Sequence, residues 1–294
     1  MNKNNPHTGP YDLNALSKAL PELKPLVFKN QHGNITIDFS NPEAVKILNR
    51  AILKKDYGIT FWDFSNDALV PPIPSRVDYL CELNDVLEVS GLQESAKIFD
   101  IGTGANCIYP ILGAKKFNWS FIASDVSTNS IKDAKTIVSN NNLSTSIKLR
   151  TQENKQYILR EVLNEDEKIT ASICNPPFYK NEEDAVKATT KKWRGLKQQN
   201  TGRNFSGIAN ELWYKNGEKG FIQNYIYDSS FYKENCAWFT CLVSDKDLLR
   251  PLKVALKQYE PAQVKVKKMQ VGNKVSHMLL WSYLSEEELK GFKL

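Results

Sequence analysis

From residue 96 onward the chain repeats one pattern, and that pattern limits the fold more than any other feature. Short apolar runs read as strands: "AKIFDIG", "WSFIASDV", "SIKLRT", "ITASICN" and "ENCAWFTCLVS", with helix-length stretches between most of them. Strands joined through helices pair in parallel, because the crossover returns the chain to the starting edge, and such crossovers are right-handed. "QVKVKKMQVGNKVSHMLLWSYL" then reads as two strands with no helix between them, so the last strand is expected to run antiparallel to the rest. The predicted fold is α/β, an open, doubly wound and mostly parallel seven-stranded sheet.

The segment before it is different. "NPEAVKILNRAILKKDYG" has Asn41 as cap, Pro42 in the first turn, apolar residues at helical spacing and Gly58 as the stop. Further helices are predicted at about 12–20 and from about Arg76 to Val89, whereas "MNKNNPHTGPYD" reads as an unstructured polar leader. Residues 1–95 thus form an N-terminal helical extension and 96–294 the main domain. Over the 294 residues, 41% are hydrophobic and 24% charged, an ordinary globular composition. No apolar run approaches the roughly 18–20 residues of a membrane span, and the start lacks the apolar stretch of a signal peptide, so a cytoplasmic protein is expected.

Ligands of doubly wound sheets sit beyond the carboxyl ends of the strands, and the polar tips of these runs fall there. "FDIGTGANCIYP" puts Gly102 and Gly104 in the turn after the first strand, where a missing side chain lets the backbone approach a cofactor. The turn continues into Asn106 and Cys107, so it fits a G-x-G-x-x-G dinucleotide fingerprint poorly. Asp125, at the tip of the second strand, can accept two hydrogen bonds from ribose hydroxyls. A tight turn and an acid are common features, and by themselves they indicate little.

"SICNPPFYKN" at the end of the fourth strand is more specific. The Asn175 side-chain carbonyl and the Pro176 backbone carbonyl can both accept hydrogens from an exocyclic amine. They would draw its nitrogen toward a tetrahedral geometry able to attack a methyl group. Pro176 and Pro177 fix the direction of the carbonyl before substrate arrives, and Phe178 can stack on a planar ring. Immediately downstream, Lys187, Lys191, Lys192, Arg194, Lys197 and Arg203 meet no acidic residue, and Trp193 lies among them. The net charge of +6 suits a polyanionic partner, and this loop reads either as a solvated surface or as an RNA-gripping segment. The five cysteines are odd in number, scattered and without C-x-x-C spacing, so reduced buried thiols are expected and no metal site.

Together, "DIGTGANCIYPILGA", "PPIPSRVDYL", "NPEAVKILN", "CNPPF", "NFSGIANELW" and "NGEKGFI" resemble the class I S-adenosylmethionine-dependent methyltransferases that carry [DN]-P-P-[FYW]. Within them the likeness is to the bacterial F-type 23S ribosomal RNA adenine-N6 methyltransferases, whose eukaryotic relative methylates a small nuclear RNA and a messenger hairpin. It extends from about residue 11 to 284. The resemblance implies a Rossmann-like class I methyltransferase fold, S-adenosylmethionine as cofactor, and 23S RNA or a large-subunit assembly intermediate as partner. It also implies N6 methylation of one adenine, number 1618 in the family. By the same resemblance Arg76 reaches the cofactor carboxylate, Asp100, Gly102 and Gly104 lie in its turn, Asp125 holds its ribose, Gln156 contacts it loosely, and Asn175 borders it. Asn175, Pro176, Pro177 and Phe178 are the implied catalytic clamp, acting without metal or covalent intermediate. The leader departs from the family in offering only Lys3 and His7 as basic or imidazole groups, and Asp125 stands where relatives often have glutamate. The competing readings are a DNA adenine methyltransferase, a protein glutamine methyltransferase and a non-catalytic RNA-binding module.

Overall fold

A computed structural model of the chain describes residues 1–66, 68–177, 213–272 and 274–294. In order, its helices are α1 (Leu13–Ala19), α2 (Pro42–Tyr57), α3 (Ile73–Val89), α4 (Ile108–Phe117), α5 (Thr128–Asn140), α6 (Gly217–Ser229), α7 (Leu249–Lys257) and α8 (Glu286–Gly291). The strands are β1 (Val27–Lys29), β2 (Ile35–Ile37), β3 (Lys97–Ile101), β4 (Ser120–Asp125), β5 (Ile147–Thr151), β6 (Ile169–Cys174), β7 (Cys236–Val243), β8 (Gln263–Val271) and β9 (Lys274–Ser282). Strands β1 and β2 form a small ribbon that sequence periodicity does not reveal. The main sheet has seven strands in the order β5-β4-β3-β6-β7-β9-β8. Strands β3 to β7 are parallel, and β9 runs antiparallel between β7 and β8. The antiparallel last strand is as expected, and the hairpin leaves β8 at the edge.

Period-2 alternation divides the apolar residues of the central strands between two cores. Ile98, Trp238 and Leu280 join the core under α2, α3, α4 and α5, while Phe99, Phe239 and Trp281 join the core under α6 and α7. A sheet covered on both faces is what near-continuous apolar strands require. The first of these cores also contains Leu13, Leu16, Leu48 and Ile52, so the N-terminal helices share it with the sheet. All five cysteines are buried and free. No described helix is long and apolar enough to cross a membrane.

The leader corrects the expectation of an unstructured tail. The Asn2 amide donates to Asp78 Oδ1 at 2.7 Å, and its side-chain amide donates to Glu82 Oε1 at 3.1 Å and Asp85 Oδ2 at 2.7 Å. Helical spacing places those three carboxylates along one face of α3. The Asn5 side chain donates to the Pro74 carbonyl and to Asp78, and His7 Nε2 lies 2.7 Å from the Tyr57 hydroxyl. Burial holds the His7 pKa below its ordinary value. Polar side chains here pay their desolvation through specific partners.

Between α2 and α3 a strap buries Ile59, Trp62 and Phe64 against the core and is tied to it by polar contacts. Asn141 accepts from the amides of Thr60 and Phe61 and donates to the Phe61 carbonyl. Lys46 reaches the Phe64 carbonyl at 2.9 Å and Asp63 at 2.6 Å. Trp62 Nε1 donates to the Asn106 carbonyl at 2.8 Å, and Asn106 Nδ2 donates to the Leu69 carbonyl at 3.3 Å. Pro74 falls in the first turn of α3, where its missing N–H costs nothing, so the helix begins at Ile73 instead of near Arg76.

Candidate active site

Strand order brings three chain segments to one edge. β4, β3 and β6 are neighbours, so their carboxyl tips set Asp125, the glycine turn and Asn175 side by side. The chain leaves β3 toward β4 on one side and returns to β6 on the other, which is the switch point where such sheets bind ligands.

The turn is held by strand β4. The amides of Gly102 and Thr103 both donate to the Ser124 carbonyl at 2.9 Å, and the Gly104 amide donates to Asp125 Oδ2 at 2.9 Å. Gly102 and Gly104 adopt φ of 72° and 64°, the left-handed region that glycine enters without strain. A Cβ built on Gly102 would meet no atom within 4 Å, so open space adjoins that backbone. Asp125 also accepts from the Ser127 amide at 2.8 Å. Burial raises its pKa, opposed by these amides. Each oxygen keeps a lone pair for a further donor.

Asp100 is the anomaly of the site. It is 1% exposed, yet neither carboxylate oxygen has a hydrogen-bond partner among the described residues. Burial, reinforced by the Asp125 charge and opposed by Thr103 and Arg76, pushes its pKa up to about 7. The Thr103 and Tyr109 hydroxyls are likewise buried and form no well-aligned hydrogen bond among the described residues, although Thr103 lies near Asp100 and Arg76 near Tyr109. Native folds rarely leave such groups empty, so this cluster is suited to a ligand carrying both charge and donors.

Helix α3 supplies the opposite charge. The Arg76 guanidinium carbon lies 5.4 Å from the Tyr109 ring centre. Three residues on, Tyr79 meets Tyr109 edge-to-face at 5.6 Å. The Tyr79 hydroxyl lies 2.7 Å from Thr240 Oγ1 and accepts from the Cys174 amide at 3.4 Å. One helix therefore presents Arg76 to the turn and braces the residue before Asn175. Tyr79, Tyr109 and Thr103 were not singled out from the sequence. The only signal was the i, i+3 spacing of Arg76 and Tyr79.

Asn175 and Pro177 are half-buried and Pro176 is buried at this edge. Phe178 and the loop residues Lys187, Lys191, Lys192, Trp193, Arg194, Lys197 and Arg203 lie outside the described residues. Gln156 is exposed in the loop after β5, and its carbonyl accepts from Asn224 at 2.7 Å. The position next to Asp125 belongs to Gln152, whose amide donates to the Asp125 carbonyl at 2.9 Å. Among the described residues, no group of three metal-ligating side chains converges.

The donor set fits a nucleoside-linked amino acid: Arg76 for a carboxylate, the unpaired Asp100 for a cationic group, the bare Gly102 backbone for close approach, and Asp125 for ribose hydroxyls. Known proteins agree with that chemistry. A ribosomal RNA large subunit methyltransferase F from Aeromonas salmonicida is 42% identical over 290 residues, 97% of this chain and 92% of that protein. One from Colwellia psychrerythraea is 43% identical over 297 residues, 96% of this chain and 99% of that protein. Among solved structures, the hMettl16 catalytic domain in complex with MAT2A 3'UTR hairpin 1 superposes with a TM-score of 0.81 at 30% identity, covering 97% of this chain and 96% of that one. The N-terminal domain of human METTL16 in complex with SAH gives 0.77 at 28%, covering 97% and 99%. The model of the RNA methyltransferase family matches residues 1–285, and the chain belongs to that family.

Proposed function

We propose that the protein transfers a methyl group from S-adenosylmethionine to the N6 amine of one adenine in 23S ribosomal RNA, the family's position 1618, in the cytoplasm. The observation that carries this reading is the adjacency of the Asn175–Pro176–Pro177 corner to the glycine turn and the unpaired Asp100, at neighbouring strand tips. The relatives' names add a large-subunit RNA substrate, and a solved neighbour contains the demethylated cofactor.

Bound S-adenosylmethionine supplies an electrophilic methyl on a positively charged sulfur. Arg76 would pair with the cofactor carboxylate, Asp125 with its ribose, and Asp100 with its cationic end, while Gly102 and Gly104 allow close contact and Gln156 contributes from the loop after β5. Asn175 Oδ1 and the Pro176 carbonyl accept the two N6 hydrogens, pyramidalising the nitrogen so that its lone pair points at the methyl group. Pro177 stiffens the corner and Phe178 stacks on the adenine, which must leave its own stack to enter. The methylated amine is acidic enough to release its proton to water, so these residues need only position it. In this arrangement residues 1–95 contribute to cofactor and RNA binding and residues 96–294 carry out transfer.

The test is incubation with radiolabelled S-adenosylmethionine and, separately, total RNA, genomic DNA and ribosomal protein, followed by digestion and identification of the labelled product. N6-methyladenosine from RNA alone is expected, and label in deoxyadenosine or protein would replace this reading. Asn175→Ala is expected to lower kcat by about 10²–10³-fold, the scale of losing one preorganised polar contact to the reacting group, while sparing RNA affinity.

A further inference from the structure

Helix α7 carries Arg250, Lys253 and Lys257 at i, i+3 and i+7, which places three cations on one face over about 11 Å of helix. All three are exposed, and among the described residues none forms an ion pair. Asp247 precedes the stripe by one turn and Glu260 follows it, yet neither closes on a cation. Like charges one turn apart destabilise a helix, and here no internal partner offsets that repulsion. The opposite face of α7, through Leu252 and Leu256, is buried in the core. The stripe is therefore fixed in orientation.

Its position links it to the active-site edge. β7 is parallel to β6 and hydrogen-bonded beside it, so the connection from Val243 into α7 starts at the sheet edge that carries Asn175. That connection is pinned: Glu218 in the first turn of α6 accepts from the Ser244 amide at 2.6 Å and from its hydroxyl. Beside the stripe, Gln223, Arg250, Pro251, Val254, Ala255 and Gln258 line a groove of about 410 Å³ between α6 and α7. The groove joins one cation and two neutral amide side chains, with both donors and acceptors, to the apolar Pro251, Val254 and Ala255.

We propose that the α7 face is a second RNA-binding surface, which holds the phosphate backbone of the substrate RNA where it leaves the active-site edge and places sugar or base edges against Gln223 and Gln258. Charge complementarity selects the occupant: three exposed cations with no ion pair among the described residues, beside a small groove of mixed polar and apolar lining, suit a polyanion whose sugar and base faces can cover Pro251 and Val254, whereas an acidic protein segment would demand apolar anchors of larger area. The proposal rests on the RNA-methylating reading above. It adds a contact that acts on RNA affinity and leaves the chemical step untouched.

The experiment uses the full chain, the variant R250Q/K253Q/K257Q and the control K132Q/K135Q on α5, whose lysines are also exposed. Affinity for a protein-free 23S RNA fragment spanning the methylated adenine is measured across a salt series, with kcat and KM for RNA and for S-adenosylmethionine. The α7 variant is expected to lose at least fivefold in RNA affinity and to lower the slope of log affinity against log salt by about 2, the share of three single-strand phosphate contacts. Its kcat at saturating RNA, its KM for the cofactor and its melting temperature are expected to stay at the wild-type values, as is every parameter of the α5 control. An unchanged affinity and slope overturns the proposal, as does a defect seen only with ribosomal particles and not with naked RNA, which would assign the face to a protein. Failure of the functional reading is separate: the wild type would then leave no N6-methyladenosine in RNA, whatever the α7 variant does.

Discussion

Two aspartates, each almost wholly inaccessible to solvent, are treated in opposite ways by this fold. Asp228 on α6 is 0% exposed and paired through both oxygens: its Oδ2 accepts from the amides of Ile158, Leu159 and Arg160, and its Oδ1 from Arg160 Nε at 2.8 Å. The Arg160 guanidinium in turn lies over Tyr157, Tyr227 and Phe231. Asp100 is equally buried and has no partner among the described residues. A buried carboxylate with both oxygens engaged fastens structure, here the loop after β5. One without any partner is a liability to the free protein and an asset only when something binds.

That division makes measurable demands. Replacing Asp228 by Asn should have the largest effect, lowering unfolding free energy by roughly 3 kcal/mol, because a buried ion pair and three amide contacts lose their charge together. Chemical denaturation would check it, and a loss below about 1 kcal/mol would make the two carboxylates alike. Asp100→Asn should do the reverse: melting temperature unchanged or raised, but affinity for S-adenosylmethionine weaker by about tenfold or more in calorimetry, the scale of a lost charged hydrogen bond.

A third expectation concerns pH. The Asp100 pKa is raised to about 7 in the fold from 3.8, so the folded state holds the proton more tightly than the unfolded chain. The contribution of this group to stability is complete below about pH 4 and is lost as pH climbs to about 7. Subtracting the Asp100→Asn melting profile from that of the ligand-free wild type should expose this falling component, and a flat difference would mean that the carboxyl is hydrated. Smallest of the four, Tyr79→Phe should cost about 1 kcal/mol in stability, since it removes the hydroxyl shared by Thr240 and Cys174. It should also slow methyl transfer a few-fold at saturating cofactor, read in single-turnover assays.

Much of this architecture is legible in the chain because its signals are local. The helix over Pro42–Tyr57 has its cap, first-turn proline and glycine stop within the segment, and the strands carry their own apolar runs. The glycine turn, Asp125 and the Asn175 corner are readable for the same reason. What was missed depends on partners far apart in sequence. The leader looks disordered by composition, yet Asn2 and Asn5 are fixed by carboxylates about 75 residues away on α3. Asp100 reads as one more strand-tip acid, and nothing in "FDIG" tells that its oxygens find no donor when Asp125 takes the Gly104 and Ser127 amides. Gln156 and Gln152 are equally plausible as loop glutamines, and only the register of β5 against β4 puts Gln152 beside Asp125.

The docked leader also bears on how the protein folds. The acceptors of Asn2 lie 76 to 83 positions later, on a helix braced through Tyr79 by Thr240, another 161 positions on. Contacts of such separation close slowly, since a long loop must be ordered before any bond rewards it. The segment around Asn2 has nothing to dock on until α3 has formed, so its seating is expected to follow the packing of that helix.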